Sequence, residues 1–252
     1  NNGGGGEKVL WQAVETTLLQ SDRNIAIIYT SNIEAQPLDI LTKAEQKFNI
    51  KNLDSSRIVF IYLRRFSALI DAAYWKHFTL LGQLLGSVLL GLEEIFELSP
   101  DIWIDTIGLP GSYWLVNLIL KIPIVAYVHY PIIQPDMFNN LKFGSFSSLK
   151  SYRGGVNDTK HAVKLIYWSF MSLLYTYLGS CVDLTLANGT WTLEHMKNIW
   201  YMNDADTIRI LYPPCSTEML ACTEISGERE NKLLYIAQFR PEKRHFLIVA
   251  EF

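Results

Sequence analysis

Hydrophobic positions along the chain alternate between two rhythms. Val9, Leu10, Ala13, Val14, Thr17 and Leu18 recur at helical spacing, and residues 25–29 follow as an unbroken apolar run of strand length. The same spacing predicts a second amphipathic helix on Leu38, Leu41, Ala44 and Phe48, and the run over 58–62 predicts the next strand. Further on, strands are expected over 102–104, 124–128, 184–187 and 208–211. Helices are expected over 113–121, 163–178 and 191–200, and a long apolar helical region over 78–92. Strands that lack polar alternation and are separated by helices belong to a parallel sheet covered on both faces. The fold class expected is therefore α/β, a doubly wound sheet.

Tyr212-Pro213-Pro214-Cys215 interrupts this rhythm, because two prolines neither continue a strand nor enter a helix interior. A polar stretch follows to about Lys232, then a strand is expected over 233–237 and a helix from Glu242. The domains expected are residues 1–212, a Rossmann-like unit lacking its first strand, and 213–252, a linker with the first β-α unit of a second domain. The chain opens on Asn1 and Asn2 before four glycines and closes on an apolar helical pattern, so it reads as a fragment. The segment 134–157, rich in Asn, Ser, Gly and Phe, is long for a connection and reads either as a binding loop or as an insertion.

Composition narrows the function classes. With 22 Lys and Arg against 25 Asp and Glu, the chain has no basic excess with which to grip duplex nucleic acid. Hydrophobic residues at 49% exclude a disordered chain. Aromatics at 13% and a mean hydropathy of +0.11 point toward a partner that is partly apolar. Cys181, Cys215 and Cys222 form no CxxC pair, which argues against a disulfide framework or a zinc site and for a reducing compartment. The sequons at Asn157 and Asn188 would matter only in a lumenal protein.

Candidate chemistry sits at strand ends and helix starts. Gly3-Gly4-Gly5-Gly6-Glu7-Lys8 opens a helix, where backbone N–H groups and the helix dipole favour an anion; a flexible linker reads the same glycines equally well. It is neither a Walker A loop nor a GxGxxG turn. Arg240-Pro241-Glu242-Lys243-Arg244-His245 falls between an expected strand and helix, where it is either a diphosphate clamp or a solvated basic turn. His129 follows the strand over 124–128, and Asp105 follows that over 102–104, so both could face one crevice. The segment 78–92, with Gly82, Gly86 and Gly91, and the aromatic stretch 163–171 read as core helices or as surfaces entering a membrane interface.

Seven strings in order carry a resemblance: GGGGEKVLW at Gly3, FTLLGQLLG at Phe78, DIWIDT at Asp101, YVHYP at Tyr127, GSC at Gly179, LYPPC at Leu211 and QFRPEK at Gln238. Together the chain resembles the GDP-mannose-dependent α-1,2-mannosyltransferases of the dolichol-linked oligosaccharide pathway. The resemblance implies a GT-B fold: a Rossmann-like N-terminal acceptor domain and a second Rossmann-like domain holding the donor. It implies a retaining transfer of mannose from GDP-mannose, without a metal or other cofactor, to a dolichol-diphosphate oligosaccharide, adding the fourth and fifth mannoses. The place implied is the cytosolic face of the endoplasmic reticulum membrane, with other mannosyltransferases of the pathway as possible partners and no nucleic acid.

Carried over by position, Gly5 and Gly6 match the loop that approaches the donor diphosphate, Arg240 and Lys243 the basic pair facing the leaving GDP, and His129 the catalytic-site histidine beside the transferred sugar. This chain has Ala237-Gln238 where related transferases carry Gly-Arg, which puts the equivalence of Arg240 in question. The acidic motif of these families is expected beyond Phe252. Another retaining GT-B transferase with a different nucleotide sugar or polyprenol acceptor, or a non-catalytic membrane-docked homologue, are the competing readings.

Overall fold

The computed structural model describes residues 4–133, 156–215, 217, 221–222, 231–237, 239 and 243–251; in the helix starting at Val156, side chains are described from residue 162. The chain divides into two units, Asn1–Cys215 and Ser216–Phe252.

In the first unit, helix α1 (Gly5–Gln20) leads to β1 (Ala26–Thr30), α2 (Pro37–Phe48) and β2 (Ile58–Tyr62). Glu7 in the first turn of α1 suits the positive end of the helix dipole. α2 carries Pro37 in its first turn and stops at Asn49, whose left-handed backbone (φ 55) ends the ladder. Arg57 closes α1 from outside by donating to the carbonyls of Leu18 and Ser21 at 2.9 and 3.0 Å. Trp11, Val14, Leu18, Ile28, Ile40 and Ile58 bury one core between these elements.

The longer half runs α3 (Thr79–Glu97), β3 (Trp103–Asp105), α4 (Gly111–Leu115, extended by a π-turn over Val116–Leu120), β4 (Ile124–Val128), α5 (Val156–Gly179), β5 (Leu184–Ala187), α6 (Thr190–Ile199) and β6 (Ile208–Ile210). All pairings are parallel. β1 pairs with β2, Ala26 opposite Ile58. β3, β4, β5 and β6 form a second sheet in that order. The strands thus fall into two sheets rather than the single sheet expected, because β1 and β3 do not pair. Tyr29 of β1 nevertheless stacks on Trp103 of β3, ring centroids 5.8 Å apart, and its hydroxyl donates to the Leu98 carbonyl. Trp103, Tyr113, Ile124, Met171, Met196 and Trp200 lie in the second core.

Helix α3 is long and apolar enough to cross a membrane by length and composition. In this structure it packs as a core helix. Gly82 lies against the Trp75 ring and Gly86 against the Leu69 carbonyl, while Gly91 meets Ser112 of α4. Glu93, buried on this helix, accepts from the backbone N–H groups of Arg64, Arg65 and Phe66 at 2.8, 3.0 and 3.0 Å.

In the second unit, α7 (His245–Glu251) follows Arg244, which has φ 49. The strand expected over 233–237 does not form: this stretch has no regular structure, and Leu233, Leu234 and Ile236 are exposed. An apolar run becomes a strand only when a neighbour completes its hydrogen-bond ladder, and among the described residues none does. The helix expected from Glu242 begins three residues later, and Glu242 itself lies outside the described residues.

Candidate active site

β4 lies between β3 and β5 and delivers His129 at its carboxyl end, where open parallel sheets bind ligands. α1 starts beside it. Gly4, in extended conformation, precedes the helix without a side-chain cap. The first turn comes so near β4 that a Cβ on Gly6 would sit 3.2 Å from His129 Nε2. Close approach, not a positive φ, is what calls for glycine here. Nε2 is buried and has no hydrogen-bond partner among the described residues. Such groups in native proteins mark strain, a catalytic role or an ordered water. The imidazole meets Tyr127 edge to face, centroids 4.9 Å apart, and Tyr127 is held by donation from its hydroxyl to the Leu211 carbonyl at 2.9 Å.

Gly5 differs from its neighbour. It is exposed, and a Cβ there would meet nothing within 4 Å. Lys243 is exposed, with its carbonyl accepting from the Tyr235 hydroxyl at 2.7 Å, and it belongs to the second unit. Arg240 lies outside the described residues, as do positions 134–155 of the expected loop; α5 begins at Val156, inside that expected span. The structure therefore joins Gly6 and His129 directly.

Asp105 does not face a crevice. It closes β3 as a buried residue, and its carboxylate accepts from the N–H groups of Ile107, Gly108 and Leu109 at 2.7, 2.9 and 2.7 Å and from the Tyr113 hydroxyl at 2.6 Å. The aspartate builds the turn into α4 and has few lone pairs left for a ligand. Its negative charge acts on neighbours instead. Glu94 is pushed up to about 8, first by burial and then by the charges of Asp105 and Glu93. Burial, aided by Asp105, also raises the Tyr113 phenol.

One feature at this end of the sheet escaped the sequence reading. Tyr130, directly after His129, stacks on Trp191 in the first turn of α6, with centroids 5.3 Å apart and planes 11° from parallel. Trp191 in turn stacks on His195 at 3.8 Å. Both Tyr130 and Trp191 are exposed, so an aromatic ladder stands beside His129. The signal was available, since Tyr130 follows a strand and Trp191 opens a helix after the neighbouring one.

A parallel α/β unit whose glycine-opened helix abuts a strand-end histidine is consistent with a Rossmann-like domain of a GT-B glycosyltransferase. The comparisons with known proteins give the family. A family model described as the ALG11 mannosyltransferase N-terminus matches residues 1–200, and the chain belongs to that family. A relative from Debaryomyces hansenii, named GDP-Man:Man(3)GlcNAc(2)-PP-Dol alpha-1,2-mannosyltransferase, is 59% identical over all of this chain, which covers 42% of it. Relatives of the same name from Candida albicans and Xenopus laevis are 59% and 36% identical, the chain covering 42% and 51% of them. The chain thus spans roughly half or less of these relatives' lengths. No solved structure matches.

Proposed function

We propose that the protein containing this chain is a retaining α-1,2-mannosyltransferase. It moves mannose from GDP-mannose to a dolichol-diphosphate oligosaccharide, adding the fourth and fifth mannoses on the cytosolic face of the endoplasmic reticulum membrane. The observation that carries this reading is the close approach of Gly6 to His129 at the carboxyl end of β4, in a chain whose relatives are named GDP-Man:Man(3)GlcNAc(2)-PP-Dol alpha-1,2-mannosyltransferase.

In this reading the first unit holds the acceptor. The N–H groups at the start of α1, near Gly5 and Gly6, approach the donor diphosphate. His129 hydrogen-bonds the transferred mannose and helps place the acceptor hydroxyl, the role for which an unmet ring nitrogen is suited. Negative charge grows on the diphosphate as the glycosidic bond breaks, and Arg240 and Lys243 offset it without a metal. The exposed Tyr130–Trp191 pair offers an apolar ring face against which a pyranose can lie. Other mannosyltransferases of the pathway are proposed neighbours at the same membrane.

The test is transfer by the full-length protein. With GDP-mannose and an acceptor carrying three mannoses, two sequential additions are expected, inhibited by GDP in preference to UDP and unaffected by a chelator. Absence of transfer, or transfer from a UDP-sugar in its place, overturns the reading. Normal turnover by His129→Ala and Lys243→Ala would overturn the assignment of these residues.

A further inference from the structure

Helix α5 has two apolar faces. Met171, Tyr175 and Leu178 are buried in the core. On the opposite side Val163, Ile166, Phe170, Leu173 and Tyr177 follow one another at intervals of three and four residues, and each is more than half exposed. This outer stripe continues onto the start of α3. Phe78 is 61% exposed and meets Tyr167 edge to face at 5.3 Å, and Tyr167 Oη accepts from the Leu81 N–H at 3.2 Å. His77, Phe78, Val163, Lys164 and Tyr167 line an open, mainly apolar cleft of about 600 Å³ between the two helices.

Along the two segments that bear this face, between Asp71 and Glu93 and between Asp158 and Asp183, charge has one sign. Residues 72–92 and 159–182 contain no aspartate or glutamate, whereas Lys76, His77, Lys160, His161 and Lys164 fall within them. Lys76, His77 and Lys164 are exposed at the cleft end of the face. A stripe of this period could also seat a second helix. Paired helices, however, flank the stripe with charges of both signs, and over 162–180 the one charged residue is Lys164. Exposed aliphatic and aromatic side chains beside cations, with no acid among them, match a headgroup layer bearing phosphates.

The placement fits as well. α3 leads into β3 and α5 into β5, so both helices run against the strands, and their N-terminal ends lie at the carboxyl end of the sheet, as His129 does.

We propose that the exposed face of α5, with the start of α3, docks on an anionic bilayer surface. Ile166, Phe170 and Leu173 enter the boundary between headgroups and acyl chains, and Lys76 and Lys164 meet lipid phosphates. The proposal rests on the reading of a lipid-linked acceptor, whose sugar such docking holds at the site's end of the sheet.

The experiment is flotation of the 252-residue chain with vesicles of phosphatidylcholine containing about a third phosphatidylinositol. Binding is expected, weaker in high salt and on pure phosphatidylcholine. Ile166→Glu with Phe170→Glu should lower the partition coefficient by at least tenfold, roughly. Lys76→Glu with Lys164→Glu should do so by a similar order, about tenfold. These positions are exposed, so circular dichroism and the melting temperature should match the parent chain. Leu19→Glu, on the exposed side of α1, should float like the parent.

Equal flotation of the parent and both double variants overturns the proposal. So does a chain that dimerises in solution through Ile166 and Phe170 and ignores vesicles. Transfer by the full-length protein to a water-soluble short-prenyl acceptor is measured separately. Flotation without transfer supports docking and counts against the reaction; transfer without flotation does the reverse.

Discussion

Replacing Gly6 by alanine separates what the glycine does for the fold from what it does for the site. In a helix, alanine exceeds glycine by about 0.5–1 kcal/mol, less in a first turn, so the backbone gains from the change. The added Cβ would stand 3.2 Å from His129 Nε2, closer than a Cβ usually comes, and the imidazole must yield by a few tenths of an ångström. Misplacing a reacting group by a full ångström costs on the order of 10²-fold in rate, so a shift of this size should lower kcat/KM by about fivefold. Gly6→Val, bulkier and branched, should exceed tenfold, roughly. Steady-state transfer from GDP-mannose by the full-length variants, beside their thermal melts, measures both effects. Gly5→Ala, whose Cβ meets nothing within 4 Å, reports the approach of the ligand alone. Wild-type kcat/KM in folded Gly6→Ala and Gly6→Val would refute the argument that His129 must lie against a bare backbone.

Three further outcomes test the scaffold behind the site. Glu94 carries a folded-state pKa raised from 4.5 to about 8, so between these values the folded chain keeps a proton that the unfolded chain has released. Stability should therefore fall as pH rises through this window, by up to about 1.4 kcal/mol per pH unit, and Glu94→Gln should flatten the slope in urea titrations. Glu93 behaves oppositely: burial alone would raise it, but the N–H groups of Arg65, Arg64 and Phe66 outweigh burial and hold its pKa low. Glu93→Ala leaves those donors unmet and should cost about 3 kcal/mol, measured as a lower urea midpoint. Gly86→Ala drives a Cβ into the Leu69 carbonyl oxygen, which is backbone and does not swing aside, and should destabilise by about 2 kcal/mol.

The element types were legible because most strands of the first unit, β2 and β4 above all, are local apolar runs. β2 and β4 occupy the predicted spans, 58–62 and 124–128. What local pattern does not carry is pairing. The run over 233–237 is as apolar as β1 and has no strand beside it among the described residues, and a strand is a property of two segments. The helix ends moved for a similar reason. α5 starts at Val156 rather than Val163, because the turns before Val163 are polar and lack the apolar period on which the prediction relied.

The site was legible where chemistry sits at a strand end, as His129 does, and illegible where an acid serves the backbone. Four carboxylates here do the same work. Glu15 accepts from the N–H groups of Lys51 and Asn52, Glu93 from those of Arg64 to Phe66, Asp105 from those of residues 107–109, and Asp183 from that of Ile124. Each replaces missing ladder bonds where a loop approaches an element, and each satisfies donors that burial would otherwise strand. Glu15, Glu93 and Asp183 reach partners 27 to 59 residues away, so no spacing rule finds them. Asp105 is local, and the glycine at 108, with φ 90, was the signal that its carboxylate turns back onto its own chain. An acid at a strand's carboxyl end is thus a candidate for chemistry only after the N–H groups of the following turn have been counted. His129 passes the corresponding test, since its Nε2 reaches no donor or acceptor among the described residues and rests against the one residue that leaves it space.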